Sequence, residues 1–418
     1  MVKTFFVENY QSIKDALHVS FVASSLTDET SYCNYFRLRD NNILKVLSFY
    51  GMNASGKSTI VRALAALREI IVPVFVPGPL MVIRQSLPYF PFKFSDETRN
   101  GPTSFGIEFS LNNNEDSPIY RFNVSFDSKR IIEEKLEKLT SQKYSLLYLR
   151  KTDKSNLTTI EFGSNASNQP LLEALKTSVV PDKSFLSLFS SFRVEDIYDA
   201  YMFFAERMIN ISPEVTRFDD IMPDRIERDA GLRNFLIKLL KAADFNIDDF
   251  HVSKTKQKTI NVPGMVTERK TLLLDHNVPH EDRSIEFIQE SLGTKKIIIL
   301  GTHLYDAISK PSILIVDELE ASLHPDLTRL IVTLFLDDTI NVNNSQLIFT
   351  SHESTLLDLN LLRRDQINFV YKDKRTCGTY VRSLKDFSMR KDSVISKSYL
   401  AGRFDTSPEI NEYALIED

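Results

Sequence analysis

The apolar residues change their period several times along the chain, and each change marks an element. Val46–Tyr50, following Ile43 and Leu44, reads as a buried strand that runs straight into Gly51. Beyond that glycine, Ile60, Leu64, Leu67 and Ile71 recur at helical spacing and form one apolar face. A proline-rich passage from Pro73 to Pro91 ends this helix. Phe105, Ile107, Phe109 and Leu111 then alternate with small or polar residues, as do Tyr120, Phe122, Val124 and Phe126. With Asn112–Pro118 as the turn, they predict an antiparallel pair.

Residues 171–245 are helix-like without strand alternation and predict an inserted helical arm or lid. Short strands are expected over 246–274, and from Ser284 onward the order is helix, strand, helix, strand. Ile313–Val316 and Gln346–Thr350 are continuous apolar runs, the pattern of strands covered on both faces of a parallel sheet. The chain therefore divides into an N-terminal lobe (1–170), a helical insertion (171–245) and a C-terminal lobe (246–418). It has no internal repeat and no sustained heptad, so a long coiled-coil arm is not expected.

Composition narrows this little. The 418 residues are 42% hydrophobic and 26% charged, as in ordinary soluble proteins. No apolar run is long enough for a transmembrane helix, and MVKTFFVENYQSIKD turns polar too early for a signal peptide, so a cytoplasmic protein without membrane contact is expected. Two distant cysteines, Cys33 and Cys377, fit a reducing compartment better than a disulfide framework. A net charge of −5 argues against a surface coated by nucleic acid, although a local basic patch is compatible with it.

The chemistry lies in GMNASGKS, Gly51 to Ser58, which satisfies G-x-x-x-x-G-K-S with a strand before it and a helix after. Glycines at these positions let the backbone turn its N–H groups onto phosphate oxygens, and the helix start adds its positive end. The expected nucleotide cradle is Gly51, Asn53, Ala54, Ser55, Gly56, Lys57, Ser58 and Thr59. Lys57 would neutralise the β- and γ-phosphates, the Ser58 hydroxyl would ligate Mg²⁺, and Thr59 would meet the α-phosphate. ATP and Mg²⁺ are the implied cofactors.

The strand Ile313–Val316 delivers Asp317 and Glu318 at its C-terminal end, where ligands bind in open α/β sheets. Asp317 is the expected second metal contact and Glu318 the general base for water attack. The bland alternative is two carboxylates solvated at a strand end. His352, at the tip of Gln346–Thr350, is placed to reach the γ-phosphate; taken alone it would read as a surface histidine. Ser291 and Gly293 precede a run in which Ile297, Leu300, Leu304, Ala307 and Ile308 keep a helical face, so they sit at a second helix N-terminus that attracts anions. Two phosphate sites in one chain suggest an isologous dimer, in which Ser291, Gly293 and Thr294 serve the nucleotide of the other copy. His276-x-x-x-His280 could be read as a metal pair, but it spans Pro279 with no cysteine nearby, which argues against it.

The motif order GMNASGKS, ESLGT, SILIVDE, TSH resembles an ABC-class ATPase head, a P-loop NTPase, on its SMC/RecF-like branch. DELEASLHP is similar to the corresponding segment of overcoming-lysogenization ATPases. ENYQSIKD, PFKF, RRDQINFVYKD and RKDSVISKSYLAGRFDTSP resemble RloA/AbiLi-type ATPases, which are related to the AriA subunit of a phage-defence pair. The resemblance implies an α/β ABC-ATPase head with an antiparallel β subdomain and a helical insertion. It also implies Ser291 and Gly293 as a signature motif acting in trans, Glu318 as catalytic base, His352 as switch histidine, and Glu320 to Asp326 as a loop at the dimer seam. Members often read GRYGAIP where this chain has residues 402–408 as GRFDTSP, a departure. No Q-loop glutamine is assigned; Gln85, Gln142, Glu133 and Glu134 are the candidates.

About seventy residues follow His352, fewer than a Toprim nuclease domain of typical size needs. The resulting expectation is an anti-phage ATPase that forms a homodimer or higher homo-oligomer and controls a separately encoded effector, a Toprim-type nuclease or another toxin. The competing expectation is a RecF/SMC-like repair ATPase that clamps DNA. A transporter subunit is disfavoured because no LSGGQ string is present.

Overall fold

The computed structural model describes residues 1–26, 30, 32–72, 75–76, 82–83, 86–211, 221–258, 266–278, 281–389 and 394–404. Its centre is a six-stranded sheet. In chain order the strands are β1 (Val46–Tyr50), β2 (Met208–Ile211), β3 (Ile313–Val316), β4 (Gln346–Ser351), β5 (Ile367–Lys372) and β6 (Thr379–Ser383). They lie side by side as β2-β3-β4-β1-β5-β6, all parallel except the β5/β6 pair. Three helices flank the functional end: α1 (Lys57–Ile71), α2 (Leu292–Ser309) and α3 (Pro325–Leu336).

Alternation along the central strands explains their unbroken apolar runs. Leu47, Phe49, Ile313, Ile315 and Ile348 join one core with α1, while Val46, Tyr50, Leu314, Val316, Leu347 and Phe349 join another with α2 and α3. Neither face meets water, so both parities are mainly apolar, and the polar exceptions Ser48, Gln346 and Thr350 are buried and hydrogen-bonded. The first core is closed by a seven-stranded antiparallel sheet that contains the predicted pair, Thr103–Phe109 with Tyr120–Phe126. Glu134 in that sheet is fully buried. It accepts hydrogen bonds from the Tyr148 and Ser184 hydroxyls and from the backbone N–H groups of Phe185 and Leu186, and it pairs with Arg150.

The stretch 171–245 differs from the helical arm expected of it. It holds the helices Gln169–Leu175, Glu195–Met202, Ile221–Arg228 and Ala230–Ala242, but also β2, an edge strand of the central sheet. Leu172, Phe185, Phe189 and Phe203 pack into the first core, and Leu232, Leu236 and Leu240 into the second. A four-residue strand entered from the π-helical turn Phe203–Arg207 is too short to show a period. The short strands expected over 246–274 are in fact two long ones, Ile247–Lys258 and Val266–Val278, which pair with each other, the second also with Glu281–Glu286. Among the described residues no helix is long and apolar enough to cross a membrane.

Candidate nucleotide site

β1 ends in the glycine-rich loop, and two of its glycines are required by space. A Cβ on Gly51 would lie 2.2 Å from the Val370 carbonyl oxygen, so β1 can leave the sheet beside β5 only as glycine. Gly56 sits at φ +107°, with Thr379 Oγ1 2.1 Å from where a Cβ would stand. Ala54 adopts the left-handed region at φ 61° without being glycine. No side chain caps α1 at Gly56, which leaves the first N–H groups of the helix to an anion.

Lys57 opens α1 and is nearly buried. Its Nζ donates to the carbonyl oxygens of Gly51 and Met52, both at 2.9 Å. Burial pulls its pKa down to about 8, opposed by Glu320, Glu318 and Asp317. Asn53 and Ala54 are exposed, Ser58 is partly exposed, and Ser55 is buried with its carbonyl accepting from Thr379 Oγ1 at 2.9 Å. Thr59 Oγ1 lies 3.0 Å from Ser12 Oγ and donates to Gln11 Oε1 at 3.5 Å.

The acidic turn at the end of β3 is held by β4. Thr350 Oγ1 donates to the Asp317 carboxylate at 2.6 Å and accepts from the Glu318 N–H at 2.8 Å. The Leu319 N–H donates to the Thr350 carbonyl at 3.1 Å. These bonds keep Glu318 at φ 52°, a left-handed conformation that a non-glycine residue occupies only when its surroundings impose it. Glu320 turns back into the site. Its Oε1 accepts from the His352 N–H at 2.6 Å, and its buried Oε2 has no hydrogen-bond partner. His352 is held below the usual histidine pKa by burial and then by Lys57, against Glu320, Glu318 and Asp317. Lys57, Asp317, Glu318, Glu320 and His352 thus share one electrostatic neighbourhood at the C-terminal edge of the sheet.

Ser58 and Asp317 are a donor set suited to Mg²⁺, which takes few protein oxygens and keeps phosphate and water for the rest. Among the described residues no three His, Cys, Asp or Glu side chains gather on one metal-sized point, so a metal here would have to borrow those other oxygens.

Ser291 caps α2, its Oγ accepting from the Thr294 N–H at 3.1 Å and lying 2.7 Å from Thr294 Oγ1. Gly293 sits beside the Ser322 carbonyl, which would be 3.3 Å from an added Cβ. Among the described residues no hydrogen bond joins 291–294 to the loop 51–59 of the same chain. Ser291 is exposed, flanked by Ile288 and Leu292 at 66% and 70% exposure. His276 Nε2 lies 2.6 Å from Glu290 Oε1, an internal partner; His280 and Gln85 fall outside the described residues, as do 405–408. Glu134 is committed to its own sheet and Glu133 pairs with Lys151, so neither of these Q-loop candidates faces the loop.

Sequence reasoning missed Gln11, Ser12, Thr350, Thr379 and Lys296. Gln11 and Ser12 stand in the quoted ENYQSIKD and Thr350 in the quoted TSH, signals that were available; Thr379 and Lys296 carry no local motif. Glu320, expected at a dimer seam, has its carboxylate in its own site.

A central sheet that sends a glycine-rich loop into a helix from β1 and an acidic pair from β3, with β4 inserted between them, is the head of an ABC-class P-loop ATPase. The family described as "AAA domain, putative AbiEii toxin, Type IV TA system" matches residues 46–358, and the chain belongs to it. No curated protein matches the sequence. Among solved structures the chain is similar to the SMC head domain from Thermotoga maritima, at 12% identity and TM-score 0.39, covering 91% of this chain and 98% of that one. A Pyrococcus yayanosii Smc head with a coiled coil and joint matches at 10% identity and TM-score 0.42, covering 96% and 99%. A RecF structure from the RecFOR pathway matches at 12% identity and TM-score 0.35, covering 88% and 97%. At such TM-scores the likeness does not extend to function.

Proposed function

We propose that the chain hydrolyses ATP between two copies of itself, as the ATPase subunit of an anti-phage defence system that controls a separately encoded toxin or nuclease. The observation that carries the hydrolytic reading is the convergence of Lys57, Asp317, Glu318 and His352 on one edge of the central sheet. Lys57 and the N–H groups of the Gly51–Thr59 loop bind the triphosphate, and Ser58 with Asp317 would hold Mg²⁺. The ion, when bound, offsets charge on the phosphate oxygens. Glu318 accepts a proton from the attacking water. His352, whose pKa burial lowers, offers a ring N–H toward the γ-phosphate. The exposed apolar rim of Ile288 and Leu292 around Ser291 supports the second copy, because a serine at a helix start ringed by apolar side chains suits a docked surface. The family's description, which names a toxin and a toxin–antitoxin system, supports the defence role.

Two variants test the site. Lys57→Ala abolishes nucleotide binding in a fluorescent-nucleotide titration. Glu318→Gln retains binding, loses turnover by about 10²–10⁴-fold as expected for removal of a general base, and accumulates a closed dimer. Turnover of Glu318→Gln at the wild-type rate would remove Glu318 from its role. For the defence role, cells carrying the gene with its genomic neighbours resist phage, and Lys57→Ala abolishes that resistance. DNA retention that falls steeply with salt, without any effect on phage, would favour the DNA-clamping alternative instead.

A further inference from the structure

Lys296 lies just inside α2, the helix whose exposed start carries Ser291, Gly293 and Thr294. Its neighbour Lys295 turns outward to the Ile288 carbonyl at 2.5 Å. Lys296 turns inward, and its Nζ donates to the backbone carbonyl of Glu318 at 3.4 Å. The ammonium is partly buried, which lowers its pKa, and it is favoured by Glu320 and then Glu318. It closes an ion pair on neither carboxylate within the described residues. A second contact joins the same two segments, because Gly293 approaches the Ser322 carbonyl so closely that a Cβ would stand 3.3 Å from it. The Glu318 turn is in a left-handed conformation, so its geometry depends on the bonds around it.

We infer that Lys296 is a positioning residue acting in cis: it fastens the Glu318 turn to the helix whose exposed start meets the other copy's nucleotide. The inference rests on the two-copy reading above. When a partner's nucleotide engages Ser291, α2 is fixed, and through Lys296 so is the turn that must aim Glu318 at this copy's own water. One half-site thereby reports to the other through a single side chain, without any change in how the loop binds phosphate.

The test uses Lys296→Met, which keeps the apolar stem and removes the charge, and Lys296→Arg, which restores a cation. In Lys296→Met, kcat falls about tenfold or more while the Kd for a non-hydrolysable ATP analogue stays within about twofold. The steepness of turnover against ATP concentration is also lost, and Lys296→Arg recovers both. A wild-type kcat in Lys296→Met overturns the inference, as does a parallel loss of nucleotide binding, which would mark a general structural role. Differently tagged chains co-purified as mixed dimers separate cis from trans. Lys57→Ala paired with Ser291→Ala regains turnover at its one complete site, without the steepness against ATP concentration that two bound nucleotides give, because the Ser291→Ala copy's loop meets the other copy's intact helix start. Lys57→Ala paired with Lys296→Met stays inactive, because the only copy that binds nucleotide lacks Lys296 beside its own Glu318. Equal recovery in both pairs overturns the cis placement. No recovery with Ser291→Ala sinks the two-copy reading instead, and kcat in Lys296→Met and Lys296→Arg then decides whether Lys296 positions Glu318 within one copy.

Discussion

Lys57 is asked to carry charge in a place that disfavours charge. Its Nζ is tied to two carbonyl oxygens and screened from water, and burial brings its pKa to about 8 despite three nearby carboxylates. The unfolded chain keeps this lysine protonated up to its ordinary value near 10.5. Between those two values the unfolded state binds the extra proton, so raising the pH through that window stabilises the nucleotide-free fold while discharging the group that must meet phosphate. ATP affinity should therefore weaken about tenfold from pH 7 to pH 9 in a titration at constant ionic strength. Lys57→Arg, which stays charged throughout, should flatten the profile. A flat profile in the wild type would mean that Lys57 is protonated in the free site at all these values.

At the scale of elements, the decisive joint is the one between β3 and β4. Thr350 gives its hydroxyl hydrogen to Asp317 and takes the Glu318 N–H in return, so one side chain sets both acidic residues. Thr350→Val keeps the shape and leaves that N–H without a partner, at a cost of about 1–3 kcal/mol in a urea melt, with a larger loss in kcat than in ATP affinity. Thr350→Ser should restore both, and a Val variant with unaltered turnover would remove the joint from the mechanism. This joint also marks the limit of what was legible in the sequence. The loop Gly51–Ser58 and the buried strands β1, β3 and β4 could be read directly, because close phosphate approach demands glycine at fixed spacing and two-sided burial demands unbroken apolar runs. The role of Thr350 could not, although it stands in TSH, since a threonine ending an apolar strand shows no partner until its neighbour strand is known. Glu134 shows the converse error. Two adjacent glutamates looked available to the site, yet one is bound by two hydroxyls, two backbone N–H groups and Arg150 inside the antiparallel sheet. The strand β2 escaped because its four residues follow a helical turn and borrow their environment from β3.

At the scale of the molecule, Asn53 and Ala54 of the loop and Ser291 at the start of α2 are exposed, and in the proposed dimer they would face a second copy. Ser291 caps α2 and faces solvent, with no hydrogen bond to the loop of its own chain among the described residues, and its apolar neighbours Ile288 and Leu292 stand in water. If a second copy supplies what is missing, hydrolysis is second order in protein at low concentration. Specific ATPase activity should then rise in proportion to chain concentration below the dimer dissociation constant and level off above it. ATP bound only at the closed interface stabilises that interface by mass action, so Glu318→Gln, which cannot discharge it, should sediment as a dimer at concentrations where the wild type is monomeric. Ser291→Ala should move the midpoint of the activity curve to higher concentration while leaving nucleotide binding to the monomer intact. A specific activity that is constant from nanomolar to micromolar protein would place the whole reaction within one chain, and the exposed helix start would then have to serve some other docked surface.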